Sequence, residues 1–83
     1  MFTESERTIL EAYKSNEMVA LTGWTSTRAC AWTSEIQLDT GMETEEFRSN
    51  IVSLCLKGVI WGNGIIFGLT QKGIEALREE EAA

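Results

Sequence analysis

The order of apolar patterns predicts a single α+β domain over 1–83, with a three-helix core, a β-hairpin and a short C-terminal helix. Three observations lead there. Residues 44–57 hold the clearest helical periodicity in the chain, two β-prone runs follow on either side of Asn63-Gly64, and Thr70 opens another helical pattern directly after them. No repeat or linker interrupts that order.

The first helix begins at Thr3, because Thr3-Glu4-Ser5-Glu6 fits a capping box in which the Thr3 hydroxyl and the Glu6 carboxylate satisfy each other's backbone amides. It runs to about Ser15. Ile9, Leu10 and Tyr13 form its apolar stripe, with Glu4, Arg7, Glu11 and Lys14 outside. Met18 to Leu21 is a short apolar run before Thr22-Gly23, readable as a small strand that joins the hairpin's sheet or as an extended connection. A second helix is expected from Ser26 or Thr27, with Ala29, Trp32 and Ile36 recurring at i, i+3 and i+7, and Gly41 supplies a left-handed cap at its end.

The third helix is capped by Thr44 and favoured by Glu45 and Glu46 at the positive end of its dipole. Phe47, Ile51, Leu54 and Cys55 trace its apolar face, and Gly58 stops it. Val59-Ile60-Trp61-Gly62 and Ile65-Ile66-Phe67-Gly68-Leu69 are the hairpin strands, with Asn63-Gly64 suited to a type I′ turn. Ile65 and Ile66 cannot both face inward, since strand neighbours alternate, so one of them stands outside with Trp61 unless the Met18–Leu21 run covers it. Thr70 caps the last helix to Leu77, and the run Glu79-Glu80-Glu81, at the negative helix end, is expected to fray into an acidic tail over 79–83. Helix, turn, helix and hairpin in this order outline a winged helix.

Composition narrows function. The chain has no histidine and two cysteines, Cys30 and Cys55, each inside an apolar pattern and read as a buried thiol. Zinc chemistry and the imidazole base therefore lose their usual parts, and no catalytic, metal or cofactor residue is expected. Glu45 and Glu46 point about 100° apart on a helix and do not make an acid–base pair. No run nears the ~18 apolar residues of a membrane span, and the opening residues lack a signal peptide's positive charge, so no membrane is expected and a cytoplasmic location follows.

Glu35-Ile36, then Thr40-Gly41-Met42 leading into Ile51, Leu54 and Lys57-Gly58-Val59-Ile60, resembles the helix-turn-helix of bacterial and archaeal MarR- and PadR-type regulators. Leu69-Thr70-Gln71-Lys72-Gly73, with Ile74 and Leu77, resembles the segment after their wing. The resemblance implies that the helix from Thr44 lies in the DNA major groove and that the hairpin tip touches phosphate or the minor groove. The residues depart from that pattern. Glu45, Glu46, Ser49 and Ser53 fall on the outward face with Val52 beside them, Arg48 brings the one flanking positive charge, and the tip around Asn63 has no base.

With net charge -6 and seven scattered lysines and arginines, the monomer is poorly supplied for the on the order of 6–10 phosphate contacts common among specific DNA binders. A protein partner is therefore favoured, met through Glu45, Glu46, Arg48, Ser49, Ser53, Trp61 and Asn63 by a non-enzymatic adaptor or inhibitor. One specific form of such a protein would occupy a nucleic-acid-binding surface in place of its nucleic acid. The alternative is a small DNA-binding regulator, a homodimer pooling Arg28 and Arg48. Clustering of Arg28, Arg48 and Lys57 on one face would favour DNA, and dispersal would favour protein. The bland readings are a dipole-stabilising role for Glu45 and Glu46, a solvated acidic tail, and a core position for Trp32.

Overall fold

Residues 2–82 are described by the computed structural model. Over them the chain is α+β, with five helices and one three-stranded antiparallel sheet, a layout compatible with a winged helix.

Helix α1 spans Glu4–Ser15 and has the expected capping box: the Thr3 hydroxyl accepts the Glu6 amide at 3.1 Å, and the Glu6 carboxylate accepts the Thr3 amide at 2.8 Å. Ile9, Leu10 and Tyr13 are fully buried. The Met18–Leu21 run is neither strand nor extended connection but part of α2, Glu17–Thr22. Asn16 decides this, because its side-chain carbonyl accepts from the amides of Met18 and Val19 and caps a new turn. Val19 points inward, while Met18 and Leu21 are exposed.

The second expected helix begins later than its apolar spacing indicates. Residues 26–30 form a turn and connection, Ala31–Trp32 is strand β1, and α3 occupies Thr33–Thr40. Ala29, Trp32 and Ile36 imitate a helical stripe, but Ala31 pairs with Phe67 and Trp32 with Ile66, and sheet pairing overrides the local pattern. Trp32 is consequently 46% exposed and is not a core residue. Gly41 closes α3 in the left-handed conformation, as expected.

Helix α4, Thr44–Leu56, buries Phe47 and Leu54 and packs half-buried Ile51 against the core. Glu43, one residue earlier than expected, is its N-cap. Cys55 is exposed and Cys30 half-buried, both as free thiols. Cys55 thus lies outside the apolar face, next to Leu54 but about 100° further round the helix.

Strands β2, Ile60–Gly62, and β3, Ile66–Leu69, form the hairpin, and the sheet order is β1-β3-β2. The turn is not type I′, which would need positive φ at both central residues: Gly64 has φ 92, but among the described residues only glycines have positive φ, so Asn63 does not. Gly62 pairs with Phe67, and the Asn63 carboxamide oxygen accepts from the amides of Ile65 and Ile66 at 3.0 and 3.1 Å, so a side chain shapes a longer loop. Ile65 stands outside.

Thr70 caps α5, Gln71–Ala82, through the Gly73 amide at 3.1 Å. The helix does not fray after Leu77. Glu80 pairs with Arg7 at 2.6 Å and Glu81 with Lys14, so the acidic run is zipped to α1. At the centre, the Tyr13 and Phe67 rings lie 5.4 Å apart, and the Tyr13 hydroxyl donates to the Ala29 carbonyl at 3.0 Å.

Because Leu54 is wholly buried while Ser49 is exposed, Leu54→Ala is expected to lower stability by about 2–4 kcal/mol and Ser49→Ala by under about 0.5 kcal/mol. Urea unfolding of both variants beside wild type measures it.

Candidate functional site

Helix α4 divides into three lines along its length. Phe47, Ile51 and Leu54 face the core. Glu45, Ser49, Val52 and Leu56, at i, i+4, i+7 and i+11, are all exposed and make up the outward stripe, polar at its start and apolar at its end. Leu56 is 83% exposed. It was not among the expected contact residues, although its spacing from Glu45 could have found it.

The expected site residues are not one surface. Glu45 and Ser49 lie on the outward stripe. Arg48 turns towards the hairpin and lines a cleft of about 220 Å³ with Phe47, Ile51, Thr44, Thr33, Gln37 and Gly64. Asn63 neighbours that cleft, but its side-chain carbonyl is committed to the loop. Trp61 is 37% exposed and belongs to the sheet, not to the helix.

Ser53 does not face outward. Its hydroxyl donates to Glu6 at 2.8 Å, and Glu46, seven residues earlier, shares that α1-facing flank while remaining exposed. The other Glu6 oxygen accepts from the Lys57 ammonium at 2.6 Å as well as from the Thr3 amide. Glu6 is 1% exposed, and the sequence pattern placed it only in a capping box.

Burial of the Glu6 carboxyl raises its pKa, but hydrogen bonds from Lys57, the Thr3 amide and Ser53, with the Lys57 charge, outweigh this and bring it to about 2. Lys57 is therefore committed to the fold. Of the three bases whose clustering would favour DNA, Arg28, in the turn before β1, and Arg48, on α4, stay on the exposed surface.

Among the described residues, no group of three His, Cys, Asp or Glu side chains is placed to hold a metal ion, and no helix is long and apolar enough to cross a membrane. Comparison with family models, curated proteins and solved structures returns no match.

Glu6 is ionised in the folded state down to about pH 2, whereas its ordinary pKa is 4.5. The unfolded chain takes up the proton first on acidification, so the stabilisation is complete above the ordinary pKa and disappears as pH falls to about 2. Glu6→Gln is expected to flatten the stability profile across this window by about 3 kcal/mol, read from urea midpoints at stepped pH.

Proposed function

We propose that this chain is a non-enzymatic winged-helix protein that binds another protein through the outward face of α4, acting in the cytoplasm as an adaptor or inhibitor. The observation that carries the proposal is the composition of the outward stripe. It runs from Glu45 and Ser49 to Val52 and Leu56, a sequence suited to a partner with a basic end and an apolar end. Arg48 is the single base of α4, and Lys57 just beyond the helix is held by Glu6. A helix read into a DNA groove would meet two rows of phosphates with one arginine and three nearby carboxylates, those of Glu43, Glu45 and Glu46.

An acidic helix face of this kind supports the inhibitor form in particular, in which the protein occupies a nucleic-acid-binding surface in place of its nucleic acid. The second reading, a dimeric DNA-binding regulator, is favoured by one feature: Arg48 stands in the cleft beside the hairpin tip, where a phosphate could reach both α4 and the Gly64 backbone.

Random duplex DNA is expected to show no mobility shift with the wild type at physiological salt, whereas Glu45→Lys/Glu46→Lys creates binding that weakens steeply between two salt concentrations. Tight binding by wild type that is lost in Arg48→Ala would replace the protein partner with DNA. On the positive side, a host-lysate partner retained after nuclease treatment and lost in Leu56→Glu is the expected result.

A further inference from the structure

A second surface lies behind the hairpin. In β3, Ile66 and Gly68 share a face, and their cross-strand partners Trp32 and Trp61 share it with them, opposite the buried Phe67 and Leu69. The two tryptophans are 46% and 37% exposed, and Ile65 extends the apolar surface at the tip. Gly68 shapes the platform. A Cβ there would come within 2.7 Å of the Trp61 ring and collide with the Ala29 carbonyl, so the ring approaches the sheet where no side chain intervenes.

The stretches that build this face differ in charge from the chain as a whole. All thirteen acidic residues lie outside 18–34 and 47–74, the two stretches that hold the three strands and their flanks. Arg28 is exposed next to Ala29, at the Gly68 end of the platform, and Arg48 lies beside Gly64 at the tip end. Neither arginine is in an ion pair among the described residues. Tryptophan is the residue most associated with binding hot spots, and strands without acidic residues between Arg28 and Arg48 favour a partner of negative charge.

We propose that the outer face of the sheet is a docking surface for an acidic protein segment with apolar or aromatic side chains, which cover Trp32 and Trp61 while its carboxylates meet Arg28 and Arg48. This surface is separate from the α4 stripe and stands without it. Together the two would let one small domain hold a basic partner on α4 and an acidic one on the sheet.

Trp24 provides an internal control, since Lys14 lies 4.9 Å over its ring and it packs by the core instead of on the sheet. The probe is a short synthetic peptide alternating Asp or Glu with Phe or Leu, followed by the three indole N–H signals in NMR titration. The expected result is saturable movement of the Trp32 and Trp61 signals with Trp24 unmoved, and affinity about tenfold weaker in Arg28→Glu, whose exposed site leaves folding intact. The proposal is overturned by no saturable shift, by unchanged affinity in Arg28→Glu, or by equal binding of a twin peptide with Lys for each acid. Tighter binding of oligothymidine would assign the face to single-stranded nucleic acid instead, and the same shifts on concentrating the protein alone would assign it to a second copy. Neither a mobility shift with duplex DNA nor its absence bears on these outcomes.

Discussion

The buried Glu6 carboxylate is the constraint on which the helical half of the molecule depends. It closes the capping box of α1 with one oxygen, takes the Ser53 hydroxyl with the other, and holds Lys57 at the end of α4. A lone buried charge would be costly, but this one has donors from backbone, hydroxyl and ammonium, so its burial is compatible with stability. The geometric result is orientation. The start of α1 is fixed against the end of α4, and the rotation of α4 about its own axis then determines which residues can face outward. Removing Lys57 would leave a charge where water cannot reach it, so the same network that aligns the helices punishes any misalignment.

Orientation of α4 in turn sorts residues that look equivalent in the sequence. Ser49 and Ser53 are four residues apart, yet the first is exposed and the second is drawn to Glu6. Glu45 and Glu46 are neighbours, yet only Glu45 joins the outward stripe with Val52 and Leu56. The hairpin adds a different surface behind the helix, where β3 turns Phe67 and Leu69 to the core and Gly68 and half-buried Ile66 the other way, with Gly68 covered by the Trp61 ring. The central strand thus lies between the core and the face that carries Trp32 and Trp61.

Elements governed by local chemistry were legible in the sequence. The Thr3 capping box, the Gly41 cap, the inward set of Phe47, Ile51 and Leu54, and the two strands of the hairpin all depend on neighbours within a few residues. Elements governed by distant partners were not. Trp32 reads as helical until Ile66, far along the chain, pairs with it. Glu80 and Glu81 read as a fraying tail until Arg7 and Lys14 meet them. The Asn63 turn failed differently, because Asn-Gly permits more than one loop and the carboxamide chose the longer one. For the candidate site, helix periodicity placed Glu45 and Ser49 outward, where the structure also has them, but the inward turn of Ser53 required the buried carboxylate that no periodicity exposes.

The sheet ends on both sides in strands of two and three residues, β1 and β2. An edge so short offers another chain too few free amides and carbonyls to template a growing ladder. Trp32 and Trp61 can therefore stand on an open sheet face without making the hairpin a seed for fibrils, and the net charge of -6 adds repulsion between copies that approach at random. Brevity at the edges is what allows stickiness on the face.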